Sequence, residues 1–235
     1  MAAAVTAACG GADAGRAGGD STAGGTAAAA TANGTTGAPA MSRDRRRTLV
    51  FLGTSLTAGL GLEPEQAFPV LLQQKVDSAG LPFEIVNAGV SGETSAGALR
   101  RTDWLLRQPI DVLVLETGAN DGLRALNIDS TKANIQSIIS RVLAVKPATR
   151  ILLVQMEAPP NLGTRYTSRF RAMFPDLARE NDITLLPFLL EGVAGERSLN
   201  QGDGIHPTAE GSQRVADHLW PALERELRAA SPPPL

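Results

Sequence analysis

Short apolar runs alternate with amphipathic stretches along the chain from Thr48 onward. The apolar runs predict five strands, at residues 48–53, 83–87, 111–116, 150–155 and 183–186. Their nearly continuous hydrophobic character is typical of parallel strands that are buried on both faces. Amphipathic stretches between such strands are typical of covering helices, so this part of the chain predicts an α/β fold with a parallel sheet.

The stretches between the predicted strands carry helical periodicity. The clearest one has apolar residues at the i, i+3, i+4, i+7 and i+8 positions and ends before Pro147: Ile135, Ile138, Ile139, Val142 and Leu143. Further helices are predicted at 71–76, 99–106, 166–177 and 209–228. Pro175 and Pro221 fall inside the last two, and we expect Pro175 to kink its helix because proline cannot donate a backbone hydrogen bond.

The first 40 residues lack this pattern. They contain 16 Ala and 9 Gly, three charged residues, and no Leu, Ile, Phe, Trp or Tyr. Such a segment buries too little apolar surface to offset the entropy of ordering it. We therefore predict a disordered leader or tether at 1–47, one folded domain at 48–230 and a Pro-rich tail at 231–235.

Composition and charge narrow the classes of function. The chain has 22 Lys and Arg against 24 Asp and Glu, and only 4% of its residues are aromatic. Without a basic block or aromatic residues to stack on bases, nucleic acid is not an expected partner. The single cysteine, Cys9, excludes an intrachain disulfide and a multi-cysteine metal site. The sequence has no apolar run of about 18 residues and so predicts no transmembrane helix.

The sequence around Cys9 carries the one indication of location. Val5–Gly10 resembles the end of a bacterial lipoprotein signal, in which small residues precede a cysteine that becomes lipidated. This resemblance implies a periplasmic or membrane-anchored lipoprotein tethered through Cys9. The basic part and most of the apolar part of such a signal are missing, so two other interpretations stay open. One is a low-complexity leader with an incidental cysteine, and the other is a start at Met41, which implies a cytoplasmic protein.

Residues that carry chemistry follow the predicted strands. Ligands of parallel sheets bind beyond the carboxyl ends of the strands. The segments there and the segment before the last helix hold, in chain order, Ser55, Gly89, Asn120, and the pair Asp203 and His206. Together they supply a serine hydroxyl, backbone amides, a carboxamide, and a carboxylate beside an imidazole.

These are the parts that acyl transfer needs. A serine is a weak nucleophile until an imidazole accepts its proton, and a carboxylate fixes the tautomer of that imidazole. Asp203 and His206 are three residues apart and can meet within one loop, whereas the other histidine, His218, falls inside the last helix. Backbone N–H groups and an Asn side chain suit a developing oxyanion. Each piece alone also fits an ordinary turn or cap, but their joint occurrence favours a serine hydrolase.

The same segments resemble the SGNH (GDSL-like) hydrolase superfamily, whose signature residues fall here on Ser55, Gly89, Asn120 and His206. Residues 118–121 and 203–207 match the family blocks fully. The first block has Thr54 where many members have Asp, and we expect little effect on the chemistry because this residue lies outside the catalytic set. The match runs from about residue 49 to residue 227 and is most similar to the branch of arylesterases, acyl-CoA thioesterase I and lysophospholipases.

The resemblance implies a three-layer α/β/α, flavodoxin-like fold with a five-stranded parallel sheet of strand order 2-1-3-4-5. It also implies acyl-enzyme hydrolysis of small-molecule carboxylic esters. Aryl and short or medium acyl esters are the expected substrates, with acyl thioesters and lysophospholipids as further ones. Ser55 is the implied nucleophile, His206 the base and Asp203 its partner, while the oxyanion hole comprises the N–H groups of Ser55 and Gly89 and the Asn120 side chain. No metal or organic cofactor is implied.

Four apolar residues are candidate walls of an acyl groove: Leu123, Pro159, Leu162 and Phe188. Simple covering of the sheet edge is the other interpretation of these residues. Two alternative functions also stay open. One is an esterase for carbohydrate acetyl esters, which needs the same chemistry in a polar pocket, and the other is a non-catalytic, surface-tethered binding module. The sequence does not indicate the oligomeric state.

Overall fold

A computed structural model describes residues 46–231 of the chain. Its strands are β1 (Arg47–Gly53), β2 (Phe83–Gly89), β3 (Val112–Leu115), β4 (Arg150–Gln155) and β5 (Thr184–Phe188). Its helices are α1 (Ser55–Ala58), α2 (Phe68–Ser78), α3 (Ser95–Leu105), α4 (Ala119–Leu123), α5 (Ile128–Val145), α6 (Thr164–Glu180) and α7 (Ala209–Ala230). Most of the predicted leader, including Cys9, and nearly all of the predicted tail lie outside the described residues, so both stay predictions.

The five strands form one parallel sheet of order β2-β1-β3-β4-β5. The chain first crosses from β1 to β2 on one side of the sheet and then moves to β3, β4 and β5 on the other. Because parallel crossovers are right-handed, the helices of these two directions cover opposite faces. Accordingly, α2 packs with α7, while α5 packs with both α3 and α6. The predicted three-layer α/β/α fold and strand order are confirmed.

The three central strands form the core of the domain. Every residue of β3 and most of β1 and β4 are buried, as the hydrophobic runs predict. The expectation of burial on both faces is wrong for the two edge strands, because Val86 of β2 is 42% exposed and four of the five residues of β5 are only partly buried. An edge strand has a neighbour on one side only, so the helices cover it less completely than the central strands.

The long helices match the periodicity, and α6 is continuous through Pro175. Proline has no N–H to donate to the carbonyl four residues earlier, which belongs to Arg171. The side-chain amide of Gln155 donates to that carbonyl at 3.2 Å. The helix thus replaces the missing bond with one from the neighbouring strand.

The sequence pattern did not predict two short helices. The four-residue α1 follows β1 after the single residue Thr54, and the five-residue α4 follows β3 after a short loop. Neither is long enough to show a helical period. They lie at the point where the strand order reverses, which is where parallel α/β sheets bind their ligands.

Candidate active site

The predicted site residues come from the carboxyl ends of three neighbouring strands and from one loop. Ser55 is the first residue of α1, Asn120 is the second residue of α4, and Gly89 is the last residue of β2. His206 lies in the loop that precedes α7. The sheet order places β1 between β2 and β3, so Ser55, which follows β1, lies between Gly89 and Asn120.

The loop before α7 brings a histidine and a carboxylate to the serine. His206 Nε2 lies 2.8 Å from Ser55 Oγ, and His206 Nδ1 lies 2.6 Å from Asp203 Oδ2. The other Asp203 oxygen accepts hydrogen bonds from the backbone N–H groups of Ile205 at 2.9 Å and His206 at 3.1 Å. Three donors therefore converge on one carboxylate.

These bonds determine the charge of Asp203. The hydrogen bond from the His206 side chain, followed by those from the two backbone N–H groups, lowers the Asp203 pKa to about 2. The carboxylate is therefore ionised at neutral pH and accepts the Nδ1–H of His206. That tautomer leaves Nε2 with a lone pair directed at the Ser55 hydroxyl.

The serine is held in a tight turn between a strand and a short helix. Ser55 is 7% exposed. Its N–H lies in the first turn of α1, where no intrahelical carbonyl is available to accept it. The end of β2 lies so close to α1 that a Cβ atom on Gly89 would be 2.3 Å from the Ala58 nitrogen. Only glycine permits this approach.

The three implied oxyanion donors differ in how free they are. Asn120 is 9% exposed, and its Nδ2 donates one hydrogen bond to the Glu93 carbonyl at 3.0 Å, which orients the amide and leaves a second N–H. The Gly89 N–H donates to Asn87 Oδ1 at 3.0 Å, and Asn87 Nδ2 donates to the Thr57 carbonyl at 2.8 Å. A bound oxyanion would therefore share the Gly89 N–H with Asn87.

Buried side chains around the site hold its loops together. Asp121 is 1% exposed and accepts hydrogen bonds from the Ser95 N–H at 2.8 Å, the Ser95 hydroxyl at 2.6 Å and the Thr131 hydroxyl at 3.1 Å. Asn120 is a predicted oxyanion donor, whereas the sequence pattern assigns no role to Asp121. Asp121 ties α4, and with it Asn120, to α3 and α5.

A second set of bonds links the serine strand to the asparagine. Arg101 pairs with Glu93 through contacts of 2.7–2.9 Å and donates to the Gly53 carbonyl at 3.2 Å. The backbone carbonyl of Glu93 is the acceptor for Asn120. The pair therefore connects the end of β1 with the loop that orients Asn120. The sequence pattern does not predict this ion pair.

An apolar groove of about 370 Å³ opens beside these residues. Leu56 and Ala119, the chain neighbours of Ser55 and Asn120, are among the residues that line it. Leu123, Pro159 and Phe188 line it as the sequence predicts. Leu162, the fourth predicted residue, does not line the groove. Its half-buried side chain packs against the hydrophobic core instead, because the 3₁₀ turn Pro160–Leu162 leads into α6, whose inner face is part of that core.

Residues 46–231 contain no cluster of three or more His, Cys, Asp or Glu side chains arranged to hold a metal ion. No helix in the same range is both long and apolar enough to cross a membrane.

Comparisons with known proteins show which family the chain is similar to. The model of the GDSL-like Lipase/Acylhydrolase family matches residues 51–214. Esterase TesA of Pseudomonas aeruginosa is 37% identical over 179 residues, which cover 76% of this chain and 88% of the relative. Thioesterase 1/protease 1/lysophospholipase L1 of Escherichia coli is 40% identical over 179 residues, which cover 75% and 83% of the two chains. The psychrotrophic esterase EstA from Pseudoalteromonas sp., solved as inhibited by monoethylphosphonate, gives a TM-score of 0.73 at 33% identity and covers 77% of this chain and 99% of its own.

Proposed function

The chain belongs to the GDSL-like lipase/acylhydrolase family and is a carboxylic ester hydrolase, and we propose that Ser55, His206 and Asp203 form its catalytic triad. The observation that carries the proposal is the line of two contacts from Ser55 Oγ through His206 to Asp203, at 2.8 and 2.6 Å. An ionised carboxylate at one end and a half-buried imidazole in the middle are what a serine needs to become a nucleophile.

The proposed reaction has two steps. Ser55 Oγ attacks the ester carbonyl carbon while His206 Nε2 accepts the hydroxyl proton, and the tetrahedral intermediate collapses as His206 delivers that proton to the leaving alcohol, phenol or thiol. Water then attacks the acyl-enzyme with His206 as base, and the acid is released as Ser55 recovers its proton. Asp203 stabilises the imidazolium in both steps.

The oxyanion of each intermediate is bound by three donors in this proposal. The Ser55 N–H and the second N–H of the Asn120 amide support it, because within residues 46–231 neither has another acceptor to lose. The oxyanion shares the Gly89 N–H with Asn87 Oδ1. Fixed donors of this kind act on charge that develops in the transition state, so they raise kcat more than they lower KM.

The apolar groove supports a substrate with a hydrocarbon acyl chain. Its lining by Leu123, Pro159 and Phe188 next to Ser55 fits aryl and short or medium acyl esters, with acyl thioesters and lysophospholipids as further substrates. The names of the relatives, which include an esterase and a thioesterase 1/lysophospholipase L1, support the same classes. Activity on p-nitrophenyl esters from acetyl to palmitoyl tests this assignment, and uniformly negligible rates would contradict it.

A fluorophosphonate probe tests the triad directly, because it phosphonylates an activated serine. We expect mass spectrometry to find the adduct on Ser55, and we expect Ser55→Ala to abolish labelling and lower kcat/KM by at least about 10⁴-fold. Ser91→Ala, at an exposed serine in the loop after β2, is the matched control. It should retain both the labelling of Ser55 and the kcat/KM of the unaltered enzyme. Retained labelling and activity in Ser55→Ala would overturn the proposal.

For location, we propose that the chain is exported and anchored through a lipidated Cys9, with residues 10–40 as a tether. The small residues before Cys9 support this proposal. Fractionation of cells that make the full chain, together with mass spectrometry of Cys9, tests it against Cys9→Ser. A chain with unmodified Cys9 in the soluble fraction would contradict it.

A further inference from the structure

One buried carboxyl group beside the nucleophile has no part in the proposed reaction. Glu116 directly follows β3, and its side chain is 0% exposed. β3 pairs with β1, and the Glu116 N–H donates to the Leu52 carbonyl at 2.9 Å. Ionisable side chains are almost never buried this completely without specific partners. The partners of Glu116 therefore indicate its role.

Those partners are the two threonines that flank the nucleophile. Glu116 Oε2 accepts hydrogen bonds from the Thr54 N–H at 2.7 Å and the Thr57 hydroxyl at 2.9 Å, and the Thr54 hydroxyl lies 3.0 Å from both carboxyl oxygens. Thr54 is the N-cap of α1, and Thr57 is its third residue. Ser55 lies between them in the chain. The carboxyl group therefore holds α1 on both sides of Ser55.

The packing around the turn leaves room for this carboxyl group and for little else. A Cβ atom at Gly53 would lie 2.0 Å from Thr57 Oγ1 and 2.8 Å from Glu116 Oε2, distances that a carbon atom cannot reach without displacing the turn. On another side, the backbone of Gly89 already lies against Thr54 and Ala58. The short helix is thus confined between Glu116 and the end of β2.

We propose that Glu116 is a positioning residue for the nucleophile. Through Thr54 and Thr57 its carboxyl group sets the orientation of α1, and with it the directions of the Ser55 hydroxyl and the Ser55 N–H. This inference rests on the proposed role of Ser55. Glu116 has no contact with substrate in this scheme, so its loss slows the attack by Ser55 and leaves substrate affinity nearly unchanged. A misplacement of about 1 Å can cost roughly 10²-fold in rate.

The threonine at position 54 suits this arrangement. Many members of the family have an aspartate there, which would bring a second carboxyl group against buried Glu116. Two carboxyl groups at hydrogen-bond distance cannot both ionise, so one would have to hold a proton. The Thr54 hydroxyl lies 3.0 Å from both carboxyl oxygens and can donate to an ionised Glu116 or accept from a protonated one. The departure from the family block is therefore compatible with this contact.

The test measures how fast Ser55 reacts, separately from how tightly the enzyme binds substrate. Glu116→Gln and Glu116→Ala are compared with the unaltered enzyme in kcat and KM for p-nitrophenyl butyrate and in the rate constant of fluorophosphonate labelling. We expect kcat and the labelling rate to fall together, about tenfold for Gln, which keeps part of the hydrogen bonding, and about a hundredfold for Ala. KM should change less than about threefold, because the groove is untouched.

Glu226→Gln is the matched control. Glu226 is also buried, at 8% exposure, but its partners are Arg150 and Thr184, the first residues of β4 and β5, at the opposite end of the sheet. We expect it to lower the melting temperature and leave the labelling rate of the folded enzyme unchanged. If Glu116→Ala does not fold, Thr57→Val removes one donor at nearly constant volume and should slow labelling about threefold to tenfold.

The outcomes separate the two proposals. Unchanged labelling rates in folded Glu116→Gln and Glu116→Ala would overturn the positioning role, and so would an unchanged rate in Thr57→Val where Glu116→Ala does not fold. An equal fall in Glu226→Gln would also overturn it, because the effect would then belong to general destabilisation. If Ser55 of the unaltered enzyme is not labelled at all, the proposed triad fails instead.

Discussion

The serine of the site begins the short helix α1 at the end of strand β1, on what we call the sheet side, whereas its proposed base and acid lie on a loop. On the sheet side, α1 is packed against β2 and rests on Glu116, whose side chain is 0% exposed. On the loop side, the Asp203 side chain is 44% exposed and the His206 side chain 16%. The sheet side is held by packing and buried hydrogen bonds together. The loop side is held by hydrogen bonds, which include those to Asp203 and those from the Gln201 side-chain amide to the Leu60 and Pro207 carbonyls.

The two carboxyl groups show what this difference does to charge. Burial raises the pKa of Glu116 to about 7, although the bonds from Thr54 and Thr57 oppose the rise. Hydrogen bonds in a solvated loop lower the pKa of Asp203 to about 2. Burial therefore favours the neutral form of the Glu116 carboxyl group, which orients α1, whereas the hydrogen bonds in the solvated loop keep the Asp203 carboxyl group charged.

The largest expected effect tests whether the loop side depends on the charge of Asp203. Asp203→Asn keeps the shape but presents an amide to His206, so Nδ1 loses its anionic acceptor and the imidazolium loses its partner. We expect kcat to fall about 10³–10⁴-fold with the fold intact, measured on p-nitrophenyl butyrate with circular dichroism as the check. A loss below about tenfold would mean that the loop holds His206 without the carboxylate.

The next effect concerns a donor on the sheet side. Asn120→Ala removes the amide that the Glu93 carbonyl orients, and we expect kcat to fall roughly 10²–10³-fold while KM changes little. Steady-state kinetics on a short acyl ester measures both constants. Asn87→Ala is the comparison variant, because it frees the Gly89 N–H and removes no proposed donor. An Asn120→Ala enzyme with unchanged kcat would refute the role of Asn120.

Parts of this site follow from sequence because they are local or lie at strand ends. Asp203 and His206 are three residues apart, so one loop suffices to bring them together. Ser55, Gly89 and Asn120 follow predicted strands, and the hydrophobic pattern alone indicates that these ends share one edge of the sheet. The five strands and five longer helices follow from the same periodicity.

Other parts depend on contacts between distant segments. Glu116 lies 62 residues from Thr54 along the chain. In the sequence it is only the last residue of a predicted strand, so its contact with Thr54 cannot be predicted from the pattern. The Asn87 contact with Gly89 depends on how β2 approaches α1. Leu162 was predicted to line the groove because apolar composition does not reveal whether a side chain turns toward a groove or toward the core.

The free energy of unfolding should depend on pH with opposite sign for the two carboxyl groups, Glu116 and Asp203. The folded pKa of Glu116 is raised from 4.5 to about 7, so its contribution is present below pH 4.5 and is lost as the pH rises through 7. Relative to Glu116→Gln, the free energy of unfolding of the unaltered enzyme should fall by up to about 3 kcal/mol between these limits. Urea unfolding at several pH values measures this difference.

Asp203 supplies the contrast for that measurement. Its folded pKa is depressed from 3.8 to about 2, so its contribution is present above pH 3.8 and is lost as the pH falls through 2. Because nearly half of its side chain is exposed, solvent screening reduces the effect. A difference between the unaltered enzyme and Glu116→Gln that does not change with pH would contradict a buried, titrating Glu116.

The smallest expected effects on kcat/KM come from the groove. The sheet side contributes one exposed leucine to it, and the loop side contributes one exposed isoleucine. Leu123 at the end of α4 is 41% exposed, and Ile205 in the loop beside His206 is 37% exposed. We expect each change to alanine to remove about 1 kcal/mol of favourable free energy of contact with an octanoyl chain. The loss is this small because a half-exposed side chain buries only part of its surface on a ligand. We expect kcat/KM for the octanoyl ester to fall about fivefold in Leu123→Ala and in Ile205→Ala, with the acetyl ester unchanged.

Leu162→Ala is the matched control for the groove, because the side chain has the same chemistry but packs against the core. It should lower the melting temperature and leave the octanoyl-to-acetyl ratio unchanged. The comparison also distinguishes the two walls. If only Leu123→Ala changes the ratio, the acyl chain lies along the sheet side, and the loop serves His206 alone. If Leu162→Ala changes the ratio as much as Leu123→Ala does, the groove extends beneath the Pro160–Leu162 turn, and the assignment of Leu162 to the core is wrong.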